Sequence, residues 1–192
     1  MTQKDVVEIF QQTGAWKTGS HFVYTSGRHG TDYLDKYVIY PHTRIVSKLC
    51  QAIASCFMQD DNQVVIAPAM GGIVLSQWVA FHLSHLTGAE VLSVYADKLQ
   101  GSNIFAISHG YEELVKGKRV LVVEDILTTG NSVRKIIKST LSAGGFVVGI
   151  GALWNRGGVV FEDLRDAPKL FSLVDIKLDS WQESDCLFCH RQ

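Results

Sequence analysis

Residues 120–133 read VLVVEDILTTGNSV, and the fold is decided there. Val120, Leu121, Val122 and Val123 form an unbroken apolar, mostly β-branched run, the pattern of a strand buried on both faces. Glu124 and Asp125 follow it. Thr128, Thr129, Gly130, Asn131 and Ser132 then open a stretch with helical spacing up to Ser142. Glycine allows close backbone approach. The free N–H groups of a helix start, its dipole and neighbouring hydroxyls suit a phosphate. Two carboxylates at a strand end accept hydrogen bonds from vicinal hydroxyls, such as those of a ribose ring. A sugar site beside a phosphate site describes a ribose 5-phosphate. The plainer role for Thr129, Asn131 or Ser132 is to cap the helix. Capping explains neither the acid pair nor its fixed place behind an apolar strand.

Working outward, the same rhythm recurs. QVVIAP at 63–68, EVLSVYA at 90–96 and GFVVGIGALW at 145–154 are further short apolar runs. Helical stretches at 72–86 and 132–142 separate them. Residues 97–118 read as loop, with Gly101, Ser102, Asn103, Gly110 and Gly117. Upstream, Ile45, Leu49, Ile53 and Phe57 give helical spacing over 42–57. Val6, Val7 and Phe10 mark a short amphipathic first helix. Residues 14–36 alternate glycine-containing turns with short extended pieces. Apolar strands alternating with helices predict an α/β fold, a doubly wound, mainly parallel sheet flanked by helices. Ligands in such sheets bind at the carboxyl ends of the strands.

A chain of 192 residues is expected to form one domain, large enough to bury a core without staples. A net charge of −1 without a dense basic block gives no support for nucleic-acid or membrane partners. No apolar run reaches the roughly 18–20 residues that span a bilayer, and the N-terminus lacks a signal-peptide core. The expected location is therefore cytoplasmic, with the four cysteines as thiols. There is no G-x-x-x-x-G-K-[ST] loop. Gly149 and Gly151 lack the third glycine of a dinucleotide fingerprint. VLVVED also opens receiver domains, but too little chain follows it here for one.

The stretch VVEDILTTGNSV resembles the phosphoribosyl-pyrophosphate motif of the type I phosphoribosyltransferases. GAWKTGSHFVYTSGRHGTDYLDK at 14–36 and LWNRGG at 153–158 are similar to segments of the orotate branch, and APAMGGI at 67–73 resembles the family's pyrophosphate-side loop. The resemblance implies a small N-terminal hood over residues 1–40, an α/β core over 41–178 and a tail over 179–192. It implies that Glu124 and Asp125 hold the ribose hydroxyls and that Thr128, Thr129, Gly130, Asn131 and Ser132 hold the 5-phosphate. Ala69, Met70, Gly71 and Gly72 would lie against pyrophosphate, with Lys98 reaching it and His109 assisting. Thr25, Ser26 and Arg28 would line the base pocket, and Arg156 would meet the base carboxylate, a bidentate role suited to a guanidinium. The implied reaction joins orotate and 5-phosphoribosyl 1-pyrophosphate, with Mg²⁺ held mainly by substrate. The implied assembly is a homodimer whose loop 97–110 reaches the neighbouring site.

Two features depart from that pattern. Ser108 and His109 stand where the orotate branch carries arginines, and Asn155 stands where an acid is usual. Two alternatives therefore stay open: transfer to another nucleobase, or a regulatory relative that binds the sugar donor without catalysis. CLFC at 186–189 resembles a C-P-L-C tail found in a subset of the orotate branch, and with His190 it forms a C-x-x-C-H sequence. Covalent haem would require export. A zinc site would require further ligands, which Cys50 and Cys56 do not supply by spacing. The tail is thus expected to pack or to be disordered, with no metal ligands assigned.

Overall fold

The computed structural model describes residues 1–24, 26–99, 101–102, 104–164 and 167–189. The chain opens with helix α1 (Gln3–Gln12), started by a reciprocal capping box between Thr2 and Asp5. Strands β1 (Trp16–Val23) and β2 (His29–Leu34) pair antiparallel as a separate hairpin. Helices α2 (Lys36–Ile39) and α3 (Thr43–Phe57) lead into β3 (Val64–Pro68), α4 (Gly71–Thr87) and β4 (Leu92–Lys98). After β5 (Phe105–Ile107) and α5 (Tyr111–Val115) come β6 (Arg119–Leu127), α6 (Asn131–Ser142), β7 (Phe146–Asn155) and β8 (Leu170–Asp175).

The second sheet has the order β5-β4-β3-β6-β7-β8. Every pairing in it is parallel except β4 with β5. The chain enters at β3, builds toward β4 and β5, then returns to build the other way from β6. The order reverses between β3 and β6, so the loops after these strands part and leave a crevice at their carboxyl ends. The stretch at 120–133 therefore sits beside the reversal point.

The apolar runs are continuous because both faces are covered. Val65, Ala67, Leu121 and Val123 pack under the α1, α3 and α4 side. Val64, Ile66, Val120 and Val122 alternate with them and pack on the α5 and α6 side. Gly149 and Gly151 serve this packing. A Cβ at either would lie 2.6 Å from Phe57 or Ile53 of α3, so their absence of side chain lets that helix seat closely. Trp154 is fully buried and receives the edges of Phe10 and Trp16 at centroid separations of 5.1 and 5.2 Å. Its indole N–H donates to the Ile176 carbonyl at 3.1 Å. One strand residue thus fastens α1 and the hairpin to the main sheet, each large ring contributing about 2–3 kcal/mol through burial.

One expectation needs correction. Residues 97–118 are not simply loop. β4 continues to Lys98, Phe105 and Ile107 pack an antiparallel edge strand against the α6 side, and α5 follows. A three-residue strand buries too few residues to show a period in sequence. The described part of the tail is packed: Cys186 is fully buried, and the Trp181 and His29 backbones exchange two hydrogen bonds of 2.9 Å. No described helix is long and apolar enough to cross a membrane.

Candidate active site

β6 does not stop at Val123 but runs through the acid pair to Leu127. Thr128 to Ser132 then turn around a cavity of about 120 Å³, lined also by Glu124, Ile126, Leu127 and Val133. Gly130 takes the cap position of α6 in the left-handed conformation at φ 70° and has no side chain to offer, while Thr129 Oγ1 accepts from the Asn131 N–H at 3.4 Å. That long contact is a weak form of the plain capping role. The first N–H groups of α6 face the turn, beside the exposed Thr128, Thr129 and Asn131 and the half-buried Ser132. This is the geometry of an anion cradle.

The two acids differ in their partners. Asp125 is 3% exposed, and its Oδ2 lies 2.6 Å from Lys36 Nζ and accepts from the Tyr40 hydroxyl at 2.9 Å. Its other oxygen accepts from the Ile126 N–H at 2.7 Å. Burial disfavours the Lys36 ammonium, yet the charge and hydrogen bond of Asp125, with Glu124 behind, outweigh it and raise its pKa. Glu124 faces the phosphate turn. Its burial, reinforced by the Asp125 charge, pushes its carboxyl up to about 8 against the pull of Lys36. Lys36 and Tyr40 were absent from the sequence-derived site. The only local signal was the acid-lysine pair at Asp35 and Lys36, because a four-residue helix leaves no periodicity to read.

Across the crevice, Ala69 to Gly72 lead into α4, with a cis peptide between Ala69 and Met70. The Ala69 N–H donates to the Ala96 carbonyl at 2.9 Å, while the Met70 side chain is exposed. A Cβ on Gly71 would come within 2.5 Å of Asp125 Oδ2 and 2.9 Å of Lys36 Nζ. The small-residue loop thus abuts the acid pair, with backbone where a larger residue would block it.

Arg156 follows β7 and is 6% exposed. Its guanidinium carbon lies 4.4 Å from the centroid of the Tyr24 ring. Nε and Nη2 are buried and find no hydrogen-bond acceptor among the described residues. The backbone around it is fixed. Arg156 and Gly157 both donate to the Leu127 carbonyl, at 2.9 and 3.1 Å. A Cβ on Gly157 would fall 1.6 Å from the Thr128 carbonyl oxygen, so this turn is pressed against the phosphate turn. Asn155 closes it: the amide donates to the Val159 carbonyl at 2.8 Å and accepts from the Val159 N–H at 3.0 Å. A carboxylate could accept but not donate there, which gives the departure at Asn155 a local reason.

The remaining candidates are placed less centrally. Arg28 donates through Nε to Ser180 Oγ at 2.9 Å and through Nη2 to the Ser180 carbonyl, so it is bound to the tail. Ser26 is in an exposed turn, and Thr25 lies outside the described residues. Lys98 ends β4 in an exposed position with no ion pair among the described residues. His109 faces Asp97 at 3.0 Å, beside the rings of Tyr95 and Tyr111.

A buried acid pair, a turn that presents helix N–H groups and a guanidinium with two nitrogens lacking acceptors among the described residues thus surround one crevice at a strand-order reversal. A family model for the phosphoribosyl transferase domain matches residues 38–185, and the chain belongs to this family. It is 37% identical over 190 residues to an orotate phosphoribosyltransferase of Pelotomaculum thermopropionicum, spanning 98% of this chain and 93% of that relative. Among solved structures, orotate phosphoribosyltransferase from Aeropyrum pernix aligns with a TM-score of 0.70 at 23% identity, over 88% of this chain and 93% of the other. Adenine phosphoribosyltransferase from Thermoanaerobacter pseudethanolicus aligns with a TM-score of 0.66 at 16% identity, over 91% of this chain and all of the other. Enzymes named for different bases share the fold, so the base must be argued from the site.

Proposed function

We propose that the chain transfers the phosphoribosyl group from 5-phosphoribosyl 1-pyrophosphate to orotate, giving orotidine 5-monophosphate and pyrophosphate in pyrimidine biosynthesis. The observation that carries this reading is Arg156. Two of its buried nitrogens, Nε and Nη2, lack acceptors among the described residues, and an unpaired buried donor is costly unless a ligand satisfies it. A planar base bearing a carboxylate would supply both acceptors. A neutral base would leave the cation unpaired.

The rest of the crevice fits the donor. Thr128, Thr129, Gly130, Asn131 and Ser132 would hold the 5-phosphate on the α6 N-terminus. Glu124 and Asp125 would take the ribose hydroxyls and face the positive charge that builds on the ring as the C1–O bond to pyrophosphate breaks. The base nitrogen would attack the opposite face of C1, its proton passing to solvent and the bonding pair of the C1–O bond leaving with pyrophosphate, while Arg156 fixes the ring plane. Ala69, Met70, Gly71 and Gly72 would lie along the departing pyrophosphate, with Lys98 and His109 brought in by closure of loop 97–110. Glu124 and Asp125 are the hard oxygen donors here, and Lys36 and Tyr40 already engage Asp125. This set suits a Mg²⁺ ion carried in mainly on donor oxygens, where it would offset the charge of the leaving group. α1 and the β1–β2 hairpin would form the hood. A cytoplasmic homodimer, with loop 97–110 serving the partner's site, belongs to the same proposal.

The test is orotate consumption followed by ultraviolet absorbance with donor and Mg²⁺, beside uracil, adenine, guanine and hypoxanthine. Turnover should be selective for orotate. Use of another base would overturn the base assignment and leave the transfer chemistry standing. Tight donor binding without turnover of any base would favour the regulatory alternative, for which His109, paired to Asp97 where an arginine is expected, is the motivating feature.

A further inference from the structure

The tail and the hairpin bring four soft and borderline ligands together, far apart in sequence. His21 of β1, His29 of β2, and Cys186 and Cys189 of the tail have their ligand atoms all within 4.8 Å of one another. Cys186 Sγ lies 3.3 Å from His21 Nε2, and Cys189 Sγ lies 3.4 Å from His29 Nδ1 and 3.9 Å from His21 Nε2. The two imidazole nitrogens are 2.9 Å apart. In a tetrahedral zinc site the nitrogen-sulfur edge is about 3.6 Å and the nitrogen-nitrogen edge about 3.3 Å, from the usual bond lengths. The sulfur contacts straddle the first value, and a few tenths of an ångström of outward movement gives the second.

We propose that His21, His29, Cys186 and Cys189 bind one Zn²⁺ ion that clips the C-terminal tail to the hairpin. Two thiolates and two imidazoles in a closed four-ligand set are the donor chemistry of structural zinc. The surroundings are built for it. Cys186 and His29 are 0% and 4% exposed, and the Phe188 ring stacks on His21 at 5.4 Å. Successive turn hydrogen bonds, Cys186 N–H to Glu183 and Cys189 N–H to Cys186, both 3.1 Å, aim the two sulfurs to the same side.

The fold supplies a reason for such a clip. A two-stranded hairpin outside the main sheet is marginal by itself. The tail adds one isolated bridge at His29 and Trp181, next to the Arg28 contact with Ser180. A metal at this junction would lock both the tail and the loop bearing Ser26 and Arg28. The sequence hid it because spacing rules look for paired local motifs. Here one C-x-x-C is completed by two histidines eight residues apart, which the antiparallel hairpin brings together.

The full-length protein, purified under reducing conditions without chelator, should carry one equivalent of zinc by inductively coupled plasma mass spectrometry. A thiol-blocking mercurial should release it to a chromophoric chelator. The double variant C186S/C189S should hold none, and protease should cut its tail about tenfold faster than in the wild type. Metal-stripped wild type titrated with Co²⁺ should develop the visible absorption of tetrahedral cobalt with thiolate ligands, saturating at one equivalent. This spectrum tests the site even if the variant fails to fold. Zinc retained by the double variant, or cobalt that stays octahedral, would overturn the proposal. So would a wild-type protein that is metal-free, with intact mass two hydrogens short as a Cys186–Cys189 disulfide requires.

Discussion

Asp125 and Arg156 lie near the carboxyl ends of two neighbouring strands, and both are buried, at 3% and 6% exposure. The acid has its countercharge in the same chain, Lys36 at 2.6 Å, and a hydroxyl from Tyr40. The guanidinium has an aromatic face and two N–H groups with no acceptor among the described residues. A charge satisfied internally contributes to the folded state whether or not a ligand is bound. A charge left unpaired costs stability until the right ligand arrives. The crevice thus has a side whose charge is met within the protein and a side whose charge is not. Under the proposed function the first would hold the sugar and the second would select the base.

The largest expected effect breaks the base side. Replacing Arg156 by methionine keeps most of the packing against Tyr24 and removes the bidentate donor. The kcat/KM for orotate should fall about a thousandfold, near 4 kcal/mol, as for loss of one partner of a buried charge pair. The thermal midpoint of the ligand-free variant should stay level or rise, because an unpaired buried charge has been removed. Unchanged orotate kinetics would end the assignment of orotate. A large drop in stability would show that Arg156 is paired in the free protein.

The mirror experiment acts on the sugar side. Lys36→Met leaves Asp125 buried with only the Tyr40 hydroxyl. Lys36 is 27% exposed at its side chain, which puts the loss below that of a fully buried pair. About 2 kcal/mol, or roughly 4–8 °C in the midpoint, is expected for a chain of this size. Donor kcat/KM should fall about a hundredfold. The double variant K36M/D125N should recover the stability but not the turnover, which isolates the pair. If K36M melts with the wild type, the contrast between a paired and an unpaired charge is lost.

These two sides were not equally legible in the sequence. The apolar run at 120–123, the acids behind it and the glycine of the turn that follows are contiguous, so their order alone gives the strand, the acid pair and the helix start that the fold brings together. The alternation of strands and helices was legible for the same reason, since each element signals its own period. Lys36 and Tyr40 reach Asp125 from about ninety residues upstream, and no local pattern announces them. Arg156 could be named from its segment, but its lack of acceptors is a property of the packed turn at Leu127 and Gly157. Arg28 illustrates the converse. It is expected at the base from its segment, and its contact with Ser180 is not readable there, because a tail 152 residues away returns to the hairpin.

The smallest effect separates the two acids themselves. Glu124, pushed up to about 8 chiefly by burial and then by the Asp125 charge, is largely protonated in the free protein at neutral pH. Its ordinary value of 4.5 applies when unfolded, so the folded state binds the extra proton between the two values. Stability from this group is therefore greatest below 4.5 and declines as pH rises toward about 8, the opposite of a salt-bridged acid. Under the proposed function catalysis runs the other way, because only the ionised carboxylate would offset charge on the ribose ring. Donor kcat/KM should rise about tenfold between pH 7 and pH 9 in the wild type. Glu124→Gln should flatten that rise at a lower level and remove the acid-side gain in thermal midpoint. A wild-type profile that matches the variant in both respects would mean that Glu124 is ionised throughout. Burial would then have been offset by Lys36, and both acids would belong to one internally paired cluster. If the two profiles part as expected, Lys36 is committed to Asp125 and leaves its neighbour to be charged by pH and by the substrate.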